Sequence, residues 1–409
     1  MSHGVWGNRP FAFFWVAQLL SNAGSQVSEL AIPLTAVLLL EAGPGEMGAL
    51  TAVEALPSLV LGLFLGVLVD RVRRARLMFW CNLGQAALIG TIPVASALDL
   101  LTLPQLYLVT FAAGGLALAY GLAHTAYVPV LVTDRRQLTA ANSSVALSDS
   151  VTGVAGPGLG GVLVQVFTAP IAVAVDAVSF LVAAALQLAG WRDDPHAPGP
   201  IGGIGLALRE GWAAFRAQRG VFAVTVGKGT FDFFQWGVIA LFVLYAVREL
   251  HLAPAEIGLV AVLSSLGPVL AGVITTPVSR RFGTAWTSVV AAVLLGGNIL
   301  TPLAAGPTPL VIATVAFGEF LLGLGVVYLI ILRSTMLQQT VRPELLGRVG
   351  GVIRLIDWGP GPLGGIVGGL LGEVDRLRPG LVVLSLGGLF ALPWVATAAA
   401  RGWLRLSES

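Results

Sequence analysis

The sequence predicts an all-α membrane protein: twelve transmembrane helices in two pseudo-symmetric six-helix bundles. Three observations carry this reading. Charged residues make up 11% of the 409 and hydrophobic ones 56%, with a mean hydropathy of +0.87. A soluble domain carries about 25% charge and needs it to cover its surface, so lipid must be the solvent for most of this chain. Apolar stretches of about 20 residues, enough to cross a bilayer, recur from end to end. Text in the first half also returns, 205 positions later, in the second.

In order, spans are expected near 11–40, 47–69, 77–98, 104–127, 141–166 and 168–190. The first lacks a small-residue cleavage site and is too long for a signal peptide, so it reads as a retained span. A polar stretch, "GWRDDPHAPGPIGG", and a short amphipathic segment at 206–215 follow. Six more spans are expected near 220–247, 255–279, 284–305, 309–332, 347–372 and 379–400. The chain thus divides into a first bundle (1–190), a cytoplasmic linker (191–218) and a second bundle (219–409). Cationic loops orient a bundle. With the N-terminus inside, 18 cations, Arg333 and Arg348 among them, fall on the inner side; Arg248, Arg376 and Arg378 fall outside, and Lys228 and Arg354 within spans. Both termini are therefore expected in the cytoplasm, with the chain in the cell membrane.

Composition also excludes several classes. The single cysteine, Cys81, allows no internal disulfide, and with four scattered histidines it supplies no metal cluster. No phosphate loop is present, no nucleophile–base set points to an enzyme, and nothing suggests nucleic acid or a cofactor. The partners expected are a small-molecule substrate, protons and the lipid bilayer. Nothing fixes the oligomeric state, and a monomer is the default expectation.

Two motifs carry the functional reading. The first is "GVLVDRVRRARLM" at 66–78, where Asp70, Arg71, Arg73, Arg74 and Arg76 interrupt two apolar segments. Arginines alone would hold the loop on the cytoplasmic side, but they do not explain the acid before them. The second is a Gly-Pro-Gly-Gly pattern that occurs twice: Gly156, Pro157, Gly160 and Gly161 in span five, and Gly361, Pro362, Gly364 and Gly365 in span eleven. Small residues let membrane helices pack closely, and proline bends a helix. A matched pair fits a moving interface as well. Gly66 has its own counterpart in Gly272, ahead of Arg280 and Arg281. Parallel repeats of this kind place a binding cavity at their interface.

Seven acids fall inside spans: Glu29, Glu54, Asp149, Asp176, Asp232, Glu319 and Asp357. An ionisable group there costs about 2.5–3.5 kcal/mol on insertion scales, so it has a partner or a use. Asp176 reads as structural, and Glu54 lies near an outer end. Asp149 aligns with Arg354 in the repeat, and Arg354 and Asp357 at i, i+3 can pair on one face; these three read as part of an inner-gate network rather than as cargo-binding residues. Lys228 and Asp232 at i, i+4 either neutralise each other or, with Phe233, Phe234, Gln235 and Trp236 beside them, suit a large organic cation or amphiphile. The repeat maps Glu29 onto Gln235, and Glu319 is a third candidate acid. His124, between Tyr120 and Tyr127, reads as a hydrogen bonder between helices.

These residues resemble the major facilitator superfamily. "GVLVDRVRRARL" is similar to the family's loop between spans two and three, matching it at Gly66, Asp70, Arg71 and Arg74 and departing at Arg73. "GVAGPGLGGVL" resembles the helix-five motif of proton-coupled antiporters. "AQLLSNAGSQVSELAIPL", "DAVSFLV" and "RPELLGRV" resemble the macrolide-efflux and enterobactin-exporter-like branch. The resemblance implies that Asp70 engages the cytoplasmic start of helix eleven as a gate, where Arg348 is a candidate partner. It also implies that spans one and seven line a central cavity, with Glu29 and Asp232 facing each other across it. A carboxyl group there would take up and release a proton as its surroundings change between wet and dry. The function expected is a proton-coupled exporter of a small amphipathic molecule such as a drug, macrolide or siderophore. Rival readings are an importer or facilitator on the same fold and a non-transporting membrane sensor.

Overall fold

In a computed structural model, residues 7–69, 71–191, 204–374 and 376–404 are described, and among them the secondary structure is entirely helical. The first part holds α1 (Arg9–Leu38), α2 (Pro44–Val60), α3 (Gly62–Val69), α4 (Arg74–Ala97), α5 (Leu103–Leu131), α6 (Arg135–Val166) and α7 (Ala169–Ala189). After α8 (Ile204–Ala217) come α9 (Arg219–Arg248), α10 (Pro254–Phe282), α11 (Thr284–Leu294), a 3-10 turn (Leu295–Ile299), α12 (Leu300–Leu303), α13 (Thr308–Thr340), α14 (Pro343–Trp358), α15 (Pro360–Val374), α16 (Leu377–Gly388) and α17 (Ala391–Ala400). Each expected span falls on one helix or on a consecutive run. Among the described residues, eight of these runs are long and apolar enough to cross a membrane by length and composition.

The chain forms two compact units. Unit 1 comprises 1–42, 56–200 and 253–262; unit 2 comprises 43–55, 201–252 and 263–409. Unit 1 centres on a core around Phe11, Phe14, Met78 and Tyr127, and unit 2 on one around Phe215, Phe231, Tyr328 and Val349. Large apolar side chains such as Phe64, Leu108, Val273 and Trp286 lie on the outside. Helices that are apolar both outside and inside are what a lipid solvent demands.

The internal repeat extends to the backbone. At the end of α1, the Leu40 and Ala42 N–H groups donate to the carbonyls of Thr35 and Ala36; at the end of α9, Leu250 and Leu252 donate to Tyr245 and Ala246. Glu41 and His251 both hold φ 52° in these turns. The Glu46 carboxylate then accepts from Gly43 N–H at 2.6 Å, and Glu256 from Ala253 N–H at 2.7 Å, so each following helix is capped by the same reach-back.

Proline treats the two motif helices differently. α6 runs unbroken through Pro157. Helix eleven stops at Trp358 and restarts at Pro360, with Pro362 close behind. Each proline lacks the N–H that would close the i→i−4 ladder. One loss is tolerated within α6, whereas two within three residues end α14.

Candidate functional site

The shared turns fix the register of α1 on α9. Both helices have 30 residues, and Arg9 opens the first where Arg219, 210 positions on, opens the second. This corrects the sequence alignment of Glu29 with Gln235: Ile239 is the counterpart of Glu29. The motif prolines of helices five and eleven are only 205 positions apart, because the connections between these helices differ in length. In the structural register, Gln18 corresponds to Lys228 and Asn22 to Asp232.

In unit 2 these positions carry charge. Lys228 Nζ donates to Asp232 Oδ2 at 2.6 Å, one turn along α9, and both side chains are 11% exposed. A second pair bridges α13 and α14, the two helices that also pack on α9. There Arg333 on α13 donates through both terminal nitrogens to the two Asp357 carboxylate oxygens on α14, at 2.7 and 2.8 Å. Two cations and two anions therefore share this region with no net charge. Buried charges persist only when paired, and the bidentate fork is the strong form of such a pair. Two expectations change here. Arg333 is a buried residue of α13 rather than a loop cation, because α13 continues to Thr340. Asp357 bonds Arg333 rather than Arg354, which is exposed on α14. A turn beyond Asp232, Gln235 accepts a hydrogen bond from Asn298 in the 3-10 turn. Asn298 is the residue that sequence reasoning missed; a lone amide after Gly296 and Gly297 in an apolar run is the signal that could have found it. Trp236 is half-buried and rests on Trp358, ring centroids 5.9 Å apart. Phe234 packs on Phe390.

Unit 1 puts neutral groups at the matching places. Gln18 Nε2 donates to Asn22 Oδ1 at 2.8 Å, and Asn22 Nδ2 donates to Asp149 Oδ1 on α6 at 2.6 Å. Farther along the same face, Gln26 donates to Glu29 at 3.0 Å. Gln18, Asn22, Gln26 and Glu29 recur at helical spacing and run from a buried amide to an exposed carboxylate. Among the described residues no cation pairs with Glu29. Glu319 on α13 is half-buried beside the stacked Phe317 and Phe320, with no hydrogen-bond partner among the described residues. Asp176 is buried in α7 and accepts from Ser179 at 3.3 Å, a packing role against α1. His124 stacks on Phe14 at 4.8 Å, and its Nε2 has no hydrogen-bond partner among the described residues; ring packing stands there in place of the expected bond between helices.

The glycine motifs pack on two sides. In unit 1, Gly156 and Gly160 meet Gln26 and Val27 of α1, while Gly161 meets the start of α10, where an added Cβ would lie 3.0 Å from Gly258 Cα. In unit 2, Gly364 and Gly368 meet Phe233 and Gly237 of α9, while Gly365 and Gly369 meet the first turns of α2 and Gly361 meets Ala55 farther along it. A Cβ on Gly369 would lie 3.0 Å from Gly48 Cα. Each motif helix thus packs on the counterpart of the other's neighbours. Gly66 and Gly272 differ, since a Cβ at either would meet nothing within 4 Å.

A model described as Major Facilitator Superfamily matches residues 14–352. The chain belongs to the major facilitator superfamily. It is a multi-pass membrane transporter, not an enzyme. Among its superfamily relatives, the uncharacterized MFS-type transporter YfiS of Bacillus subtilis is 26% identical over 377 residues, covering 87% of this chain and 85% of YfiS. Macrolide efflux protein A of Streptococcus pyogenes is 23% identical, covering 83% of each chain. The multidrug efflux pump Tap of Mycolicibacterium fortuitum is 24% identical, covering 92% of each. The solved nucleoside transporter NupG shares the fold with a TM-score of 0.76 at 12% identity, covering 95% of this chain and 98% of that one.

The superfamily's loop motif is only partly on view. Asp70 lies outside the described residues. Arg71 is exposed in the turn after α3, and Arg74 opens α4 half-buried. Arg348, the expected partner of Asp70, forms an ion pair with Glu210 of α8. Gly211 brings α8 directly onto the Arg348 backbone, where a Cβ would lie 2.6 Å from the carbonyl oxygen.

Proposed function

We propose that this transporter is a proton-coupled exporter of a small amphipathic molecule, of the drug, macrolide or siderophore kind, working by alternating access. The efflux activities named for two relatives support the direction. The observation that carries the coupling is the state of two carboxylates. Glu29 is exposed at the end of a polar stripe with a single amide donor, and Asp232 is buried with one lysine. Cargo and proton would compete for these groups, with Glu29 first, Asp232 second and Glu319 as reserve. The gate set of Gly66, Asp70, Arg71, Arg74, Arg348, Arg354 and Asp357 would act at the cytoplasmic side, and Asp70→Asn should slow transport without lowering membrane insertion.

The deciding measurement is cargo flux in proteoliposomes with and without an imposed pH gradient. Wild type should accumulate cargo against its gradient only in the export direction. Glu29→Gln should still exchange cargo passively while losing gradient-driven accumulation. Gradient-driven flux that survives in Glu29→Gln, Asp232→Asn and their double variant would move the proton site elsewhere. Orientation in the cell membrane, with both termini cytoplasmic, has its own check. Cysteines at Ser2 or Ser407 should react with an impermeant thiol reagent only after permeabilisation. Cys81 is buried and contributes little background.

A further inference from the structure

We propose that unit 2 carries a binding site for the headgroup of an anionic phospholipid, at the end where α9 begins and α17 stops. A recess of about 430 Å³ opens there. Its rim is Arg216 from the end of α8, Arg219 from the start of α9 and Arg401 just beyond α17. All three arginines are exposed, and among the described residues none pairs with a carboxylate and no acidic side chain lines the recess. Trp403 holds two of them: the Arg219 guanidinium lies 5.6 Å from its ring centroid and that of Arg401 5.0 Å. The wall below is apolar, with Phe222 and Trp394 6.4 Å apart and Trp394 42% exposed.

Three features select the ligand. Guanidinium groups present planar donor forks that suit phosphate oxygens, and stacking on an indole holds them in place. Two span-forming helices end at this level, which marks the water–lipid boundary where tryptophan and arginine anchor membrane proteins. The apolar wall leads from the cationic rim to the exposed face of Trp394, so an acyl chain can follow where a headgroup binds. A soluble phosphate would use the rim but leave that wall uncovered. Charge and apolar surface together therefore fit a lipid rather than a free anion.

The test uses the full-length chain in detergent, titrated with phosphatidylglycerol, phosphatidylcholine or inorganic phosphate, and read by native mass spectrometry and thermal unfolding. Wild type should retain phosphatidylglycerol about tenfold more than phosphatidylcholine, with a raised unfolding midpoint, and inorganic phosphate should give neither effect. Arg401→Gln alone should lower that preference, and the triple variant Arg216→Gln, Arg219→Gln, Arg401→Gln should abolish it. The control pair Arg280→Gln, Arg281→Gln, at the end of α10, should keep it. Equal retention of the two lipids by wild type overturns the proposal whether or not the triple variant folds. So does stabilisation by inorganic phosphate equal to that by phosphatidylglycerol, or equal loss in the control pair.

Discussion

Gln18 and Asn22 on α1 and Lys228 and Asp232 on α9 occupy corresponding positions in helices of equal length. Each set joins one turn of helix to the next, amide to amide at 2.8 Å in unit 1 and ammonium to carboxylate at 2.6 Å in unit 2. The geometry is shared and the chemistry is not. An amide pair can lose a partner and still be neutral, whereas an ion pair that loses one leaves a charge behind in a dry place. Unit 2 extends this commitment to a second pair, Arg333 with Asp357. Unit 1 instead leaves its acids, Asp149 and Glu29, to amide donors. Corresponding helices thus hold a buried ion pair in unit 2 and a run of amides ending in an exposed carboxylate in unit 1.

The comparison breaks first where charge is most committed. Arg333→Met strands Asp357 and should cost about 3–5 kcal/mol of stability, read as a lower unfolding midpoint in detergent. Arg333→Met with Asp357→Leu should recover most of it, and a double variant as unstable as the single would show that the pair is not the source. Next, Lys228→Gln and Asp232→Asn should each destabilise, while together they reproduce the amide pair of unit 1 and recover by about 0.5–3 kcal/mol of coupling. Purely additive losses in this cycle would mean that the two groups do not act as a pair. The reverse transplant, Gln18→Lys with Asn22→Asp, sharpens the contrast. Its new acid stands where Asn22 now donates to Asp149, so the pair should fit less well than in unit 2 and cost about 1 kcal/mol. The smallest effect on stability is expected for Glu29→Gln, within about 0.5 kcal/mol, despite its predicted loss of gradient-driven flux. A large drop in its unfolding midpoint would make Glu29 a structural acid.

What the sequence disclosed follows from how local each signal is. Lys228 with Asp232 was legible because an i, i+4 spacing is a complete statement about one helix face. The paired glycine motifs were legible for the same reason, since small residues at helical spacing announce close approach. Arg333 was misplaced because hydropathy falls before α13 ends, and only its tertiary partner on α14 explains a guanidinium inside the fold. Arg348 bonds Glu210, 138 positions away, through a linker helix whose docking no local pattern reveals. Register between repeats was the subtler loss. A residue offset holds only as far as the connections between helices keep their length, and here it drifts between the first helix pair and the fifth.

The interruption of helix eleven has a mechanical consequence. Gly359 itself keeps helical angles, φ −57° and ψ −40°, between α14 and α15. What is missing is the tension member: Pro360 offers no N–H to the carbonyl of Ile356. That oxygen faces α9 at Gly229, where a Cβ would lie 3.0 Å from it. Bending stiffness in a helix comes from its hydrogen-bond ladder, so flexure of this rod concentrates at one joint. On one side α15 is seated by its glycines; on the other, α14 carries the Arg348 and Asp357 attachments to α8 and α13. A side chain at position 229 would crowd that carbonyl oxygen and the Ile356 side chain beside it, so Gly229 is what lets α9 and the joint lie this close.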